Sequence, residues 1–334
     1  KILNTNKKKS IAFVVNVDWF FCSHFKQVAM LAINKGHNVY LISTNTGLKD
    51  DIEKWGINFV DIGLDRSGKT FLTELRYIYS LYITLKNIRL DVIEFITIKP
   101  VIYGAILSRL LREPEIYTYI SGLGFMFGDN NKFAIGKWLI RNIIYPLSLR
   151  TKRINIIVEN NEDLSIVSHI AKRNRANIKV INGVGVDLIK YSFKKSDLNI
   201  IRIVMVSRLL KDKGIFEFVN IAESISSNHS NVQFILVGDR DPSNPMSLTS
   251  NEANEISKNS CINYLGKRSD IEIILSNSDL FLFPSYREGF PKVLMEAASC
   301  GLPSIAFNVA GCRDAIVNNE TGYLIPFKDK MLLH

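Results

Sequence analysis

No apolar run in the 334-residue chain reaches the roughly 18 residues that a membrane-spanning helix needs, so no span is expected. The opening residues are polar and basic and no cleavage pattern follows them, so no secretory signal is expected either. Cysteine is scarce. Cys22, Cys261, Cys300 and Cys312 form no C-x-x-C pair and have no histidine at zinc spacing, which excludes a disulfide framework and the common zinc modules. They read as reduced, mostly buried thiols of a cytosolic protein. No G-x-G-x-x-G follows the first apolar strand, so the dinucleotide-binding fingerprint is missing as well.

What is present is positive charge, unevenly spread. Residues 1–197 hold 29 Lys and Arg against 17 Asp and Glu, net +12, whereas residues 198–334 hold 13 against 15, net −2. The basic half suits a large anionic partner, a membrane surface or a nucleic acid. Short apolar runs alternate with helical patterns throughout: Ser10–Asn16, Phe21–Lys35, Asn38–Ser43, Leu48–Trp55, Asn58–Ile62, Phe71–Lys86, Val92–Phe95, Val101–Leu111, Ile116–Ile120 and Ile154–Val158. Such alternation predicts a doubly wound parallel α/β sheet. Beyond a polar linker at Phe193–Asn199 the alternation resumes, with strands at Ile201–Val206, Val232–Val237, Ile262–Leu265, Leu280–Phe283 and Ser304–Phe307. Two Rossmann-like domains, 1–197 and 198–334, are therefore expected, with ligand in a cleft between them.

The most informative stretch is Leu282–Pro303, LFPSYREGFPKVLMEAASCGLP. It reads as strand, loop and helix. Glu288 lies in the loop, Pro291 near the first helical turn and Glu296 inside the helix, all beyond the strand's carboxyl end, where parallel sheets bind ligands. The N–H groups of Gly289–Lys292 offer an anion site. Upstream, Arg208 and Lys213 in S-R-L-L-K-D-K-G follow another strand and suit phosphate oxygens.

The ordered set E-G-F-P-x-V-L-x-E-A, continued by Gly301–Pro303, Gly311, Asp314 and Thr321–Gly322, resembles the donor-sugar signature of the retaining GT-B glycosyltransferases of family 4. The resemblance implies that Arg208 and Lys213 bind the diphosphate and act with Glu288 as the catalytic set. It also implies that Glu288 meets the transferred sugar and Glu296 the ribose hydroxyls. Gly289, Phe290, Pro291, Lys292 and Val293 would bring backbone N–H groups to the donor, and Gly266, in Leu265–Gly266–Lys267, would border the nucleobase. Helices that close back onto the first domain are usual in the family, and a chain ending at His334 is expected to lack them.

In the first half, Lys99–Pro100, Ser121–Phe125 and Asn182–Asp187 resemble the branch of the family that builds O-antigens, capsules and lipid-linked oligosaccharides. His24, Lys99, Gly122 and Gly124 are the acceptor-side candidates. The implied reaction moves a sugar, an N-acetylhexosamine for preference, from a UDP-sugar to a polyprenyl-diphosphate-linked glycan. No metal or other cofactor is expected, since basic groups and a helix start neutralise the leaving diphosphate. Asp239 and Asp241 form a D-x-D that offers a metal alternative, and the Asp241–Ser250 loop is expected to be mobile. Lys132–Arg153 has six basic residues, no acidic one and interleaved aromatics, which predicts an anionic membrane surface as partner and a peripheral place on the inner face of the cytoplasmic membrane. A UDP-N-acetylglucosamine epimerase of the same fold is a second reading. A basic nucleic-acid binder is a third, and it lacks any reading motif.

Overall fold

Strand β1 (Ser10–Val17) is apolar on both faces, as a central strand of a parallel sheet covered by helices must be. It pairs with β2 (Asn38–Thr44) on one side and β4 (Val92–Ile96) on the other. With β3 (Asn58–Asp61), β5 (Glu115–Ile120), β6 (Ile154–Val158) and β7 (Ile178–Val180) they form a seven-stranded sheet in the order β3-β2-β1-β4-β5-β6-β7, parallel throughout. Alternate residues feed two cores: Ala12 and Val14 enter the one on one face, Ile11, Phe13 and Val15 the one on the other. The computed structural model describes residues 7–63, 71–111, 113–123, 140–172, 177–194, 200–242 and 244–326.

The second sheet contains β8 (Ile201–Val206), β9 (Val232–Val237), β10 (Ile262–Tyr264), β11 (Leu280–Phe283), β12 (Ser304–Phe307) and β13 (Gly322–Ile325), in the order β10-β9-β8-β11-β12-β13 and again parallel. Phe281 and Phe283 enter one of its cores and Leu282 the other, so this sheet too is covered on both faces. The expected pair of Rossmann-like α/β domains is what the chain forms.

The two units divide between Val184 and Gly185, earlier than the expected boundary after residue 197. Val186 and Tyr191 pack against the core of the second unit, so the polar composition of Phe193–Asn199 misplaced the boundary. The helix expected over Phe21–Lys35 is two, Asp18–His24 and Lys26–Asn34. The break falls at Phe25, which leaves the helical ψ to stack its ring edge-on against Tyr119 at 5.1 Å. Asp18, fully buried just beyond β1, accepts hydrogen bonds from the backbone N–H groups of Trp19 at 2.7 Å and Thr46 at 2.6 Å, and from the Thr46 hydroxyl. One carboxylate thereby ties the loop after β2 to the end of β1.

Of Lys132–Arg153, residues 132–139 lie outside the described residues. Ile140–Ile144 forms a π-helical turn and Tyr145–Leu149 an α-helix. Tyr145 and Leu149 are fully buried, and Arg153 donates to the Leu111 carbonyl at 2.8 Å. Tyr145 and Leu149 thus pack inward, whereas Ile143 and Leu147 are exposed, and the other two rings of the stretch, Phe133 and Trp138, lie outside the described residues.

Glu94 sits at the middle of β4, opposite Phe13 and Tyr117. Burial pushes its carboxyl up to about 7. The folded chain then holds a proton that the unfolded chain has released above its ordinary range, so stability falls as pH rises from about 4.5 to about 7. Glu94→Gln is expected to raise the unfolding temperature of the first unit at pH 8, with an upper bound of about 3 kcal/mol, and to leave it nearly unchanged at pH 4.5. Calorimetry at both pH values checks this, and equal shifts at both would oppose it.

Candidate active site

In an open parallel sheet the crevice lies where the strand order reverses. In the second unit that point is between β8 and β11, since the chain runs outward from β8 to β10 on one side and from β11 to β13 on the other. Arg208 follows β8 by two residues and Glu288 lies in the loop after β11, so the sequence-predicted residues flank the reversal.

The glycines here are steric requirements. Gly238, at the end of β9, has φ 142°, and a Cβ on it would lie 1.7 Å from the Ser207 carbonyl oxygen. Gly214, at the start of the Ile215–Ser226 helix, has φ 76°, and a Cβ there would lie 1.9 Å from the Pro284 carbonyl oxygen. Only glycine lets the loops after β8, β9 and β11 approach this closely.

Three cation–carboxylate pairs line this edge. Lys213 Nζ donates to Glu288 Oε1 at 2.6 Å, with both side chains largely shielded. The exposed Arg208 donates from its guanidinium to Asp241 Oδ2 at 2.7 Å. Lys292 Nζ donates to Glu296 Oε1 at 2.6 Å, one turn along the helix Lys292–Ser299. Pro291 is the residue before that helix, with extended backbone and no side-chain cap, so the first N–H groups are left to other acceptors. Phe290 and Gly289 precede it, and Val293 packs against the underlying core. The Gly266 carbonyl accepts from Gly238 N–H at 2.9 Å, which joins the β10 end to the β9 end.

Two of these contacts lay beyond the sequence reading. Asp241, weighed as half of a metal-binding D-x-D, is the partner of Arg208, while Asp239 accepts from the backbone N–H of Arg240 at 2.7 Å. In the Asp241–Ser250 loop, of which residue 243 lies outside the described residues, the Leu248 carbonyl and the Ser250 hydroxyl accept from Arg240 at 2.8 Å and 2.7 Å. Tyr191 was missed altogether. Its hydroxyl bonds to the buried Glu296, and burial together with that carboxylate raises its pKa well above the ordinary phenol value. Its only sequence signal is a tyrosine four residues after Asp187, and Tyr191 N–H does close a turn on the Asp187 carbonyl at 2.9 Å. A carboxylate has about four acceptor positions, so Glu296 retains capacity for a diol beside Lys292 and Tyr191.

In the first unit the order reverses between β1 and β4. His24 ends the first helix after β1 and Lys99 opens the helix after β4, so these two acceptor-side candidates flank that reversal. His24 Nδ1 lies 2.6 Å from the Ser23 hydroxyl, and its ring stacks on Phe20 at 4.2 Å. Lys99 is held by Glu74 at 2.8 Å. Gly122 has φ 90° at the end of β5, and Gly124 lies outside the described residues.

Two Rossmann-like sheets, with a strand-end Arg and Lys set against two glutamates around a helix start, define the class: a glycosyltransferase of GT-B type. Residues 10–161 match the family model described as glycosyl transferase 4-like, and residues 169–334 match the model described as glycosyl transferases group 1. The chain belongs to this family of glycosyltransferases. It is 29% identical over 314 residues to the N,N'-diacetylbacillosaminyl-diphospho-undecaprenol α-1,3-N-acetylgalactosaminyltransferase of Campylobacter jejuni, covering 90% of this chain and 81% of that protein. To the Escherichia coli UDP-Gal:α-D-GlcNAc-diphosphoundecaprenol α-1,3-galactosyltransferase it is 29% identical over 273 residues, 78% of this chain and 68% of that one. Among solved structures, Anabaena HepE in complex with UDP-glucose aligns over 97% of this chain and 88% of its own, with TM-score 0.72 and 18% identity. A glycosyltransferase from Rickettsia africae aligns over 97% and 86%, with TM-score 0.74 and 19% identity.

The Lys213–Glu288 pair gives a direct test of the site's electrostatics. Lys213→Met leaves a shielded carboxylate without its cation and is expected to destabilise the second unit by about 2 kcal/mol. The double variant Lys213→Met, Glu288→Gln is expected to recover most of that loss. Denaturant unfolding of the wild type, the two single variants and the double variant measures the coupling, and additive losses would show that the pair contributes nothing.

Proposed function

We propose that this chain is a retaining hexosyltransferase that moves a sugar, an N-acetylhexosamine for preference, from a UDP-sugar to a polyprenyl-diphosphate-linked glycan. It would work at the anionic inner face of the cytoplasmic membrane during assembly of a surface polysaccharide or glycoconjugate. The observation that carries the reading is the Lys213–Glu288 pair beside Arg208 at the strand reversal of the second sheet. The two relatives named for diphospho-undecaprenol acceptors support the acceptor class.

On this reading the donor diphosphate meets Arg208 and Lys213, whose present carboxylate partners then share or yield them. Glu288, released from full pairing, accepts hydrogen bonds from hydroxyls of the transferred sugar. Glu296, oriented by Lys292 and Tyr191, accepts from the ribose diol. Charge developing on the departing UDP is met by the two cations and by the N–H groups that open the Lys292–Ser299 helix, each fixed donor contributing about 3 kcal/mol to the transition state. The acceptor hydroxyl attacks from the face UDP leaves, so no protein nucleophile enters.

UDP release from a panel of UDP-sugars, with and without a polyprenyl-diphosphate GlcNAc acceptor, tests the reading. Acceptor-dependent release from one donor is expected; conversion of a UDP-sugar without acceptor would identify an epimerase instead. Arg208→Ala is expected to lower kcat/KM at least ~100-fold, through the loss of a charged contact of about 3 kcal/mol. Turnover like that of the wild type would remove the diphosphate role of this loop. Full activity is expected in excess EDTA, and a loss that Mg²⁺ restores would return Asp239 and Asp241 to consideration as metal ligands.

A further inference from the structure

The 17-residue helix Phe71–Asn87 buries Tyr77, Leu81 and Leu85 against the core of the first unit. At 100° per residue the opposite face is centred on Leu72, Leu75, Tyr79 and Ile83, which fall within an arc of about 80° and extend along about 16 Å of helix. All four are exposed, Leu72 by 69% and Tyr79 by 68%. A surface helix ordinarily puts its charges there. The charges on this face are Arg76, about 20° outside the arc, and Lys86, which falls within it at the end of the row beyond Ile83, and both are exposed. Glu74, the helix's one acid, is turned aside and held by Lys99 at 2.8 Å and by the Tyr103 hydroxyl.

We propose that this outward face is the surface by which the chain docks on an anionic lipid bilayer. An apolar row long enough to enter the headgroup boundary, with cations at its side and end and no acid, is the pattern of an in-plane interfacial helix. Tyr79 has an apolar ring and a polar tip suited to the headgroup level. The net +12 of residues 1–197 adds a general attraction to anionic lipid. The inference rests on the membrane partner proposed above and gives it a surface on Phe71–Asn87.

Sedimentation with phosphatidylcholine vesicles, with and without phosphatidylglycerol, tests the proposal in the absence of any donor or acceptor, so failure of the enzymatic reading leaves this readout untouched. Wild type is expected to bind the anionic vesicles preferentially. The combined variant Leu72→Ser, Leu75→Ser, Tyr79→Ser, Ile83→Ser is expected to bind them roughly 30-fold more weakly, with an unchanged circular-dichroism melt. Arg76→Gln with Lys86→Gln is expected to weaken binding at low salt and to match wild type at high salt. Tyr79→Trp provides a probe read as the difference from wild type, whose Trp19, Trp55 and Trp138 set the background, and the difference emission is expected to shift to the blue on anionic vesicles. Equal sedimentation of the combined variant and wild type, or no emission shift, overturns the proposal. So does a dimer by light scattering that Tyr79→Ser dissociates, which would assign the face to a second copy of the chain.

Discussion

Opposite charges brought together at the carboxyl edge of the second sheet are the constraint on which the rest of that unit turns. Lys213 with Glu288 and Lys292 with Glu296 each join a group suited to phosphate with a group suited to hydroxyls. Unpaired, these partly shielded charges would each carry a desolvation penalty of several kcal/mol. Paired, Lys213 and Glu288 join the loop after β8 to the loop after β11, and Lys292 and Glu296 pair along one turn of the following helix. A diphosphate that brings its own negative charge can take over the cations without leaving them unbalanced. On the proposed reading the carboxylates would then turn to neutral hydroxyls. The same pairs that shield each other's charge would, on that reading, sort the donor by chemical type.

The two sheets solve the same problem twice with different residues. Each reverses its strand order between the first strand and the fourth of its own unit, and each places polar groups at that reversal. In the second unit they are ion pairs; in the first they include the fully buried Asp18, bonded to backbone N–H groups and a hydroxyl. Charge pairing suits a phosphate-bearing ligand, and dipolar neutralisation of a lone carboxylate fixes a loop without offering a cation to an anion.

What the sequence disclosed is what short-range pattern encodes. The apolar alternation of Ile11–Val15 and of Phe281–Phe283 is set by two-sided burial, and both sheets were legible from it. Glu288 and Glu296 were legible because their surrounding glycines, prolines and apolar residues form one contiguous stretch. The helix Asn161–Ala171 escaped although Asn160 caps it through the Asp163 N–H at 2.7 Å, a signal that is present but short. β7 and β13, of three and four residues, escaped as well, although β10, β11 and β12 are equally short. Arg208 with Asp241, and Tyr191 with Glu296, join residues far apart in the chain, and no local pattern carries a partner's identity.

Asp18 has an effect one helical turn away. Cys22 lies on the same short helix, and its thiol is pushed up to about 11, chiefly by burial and next by the negative charge of Asp18. At neutral pH only about one such thiol in ten thousand is ionised. Maleimides and peroxides react with the thiolate, so the cysteine beside the first unit's strand reversal is protected from them first by burial and then by the carboxylate that secures the neighbouring loop. Burial raises Cys300 and Cys312 in the same direction. Labelling chemistry aimed at Cys22, Cys300 and Cys312 is therefore opposed first by burial and then by the carboxylates around them.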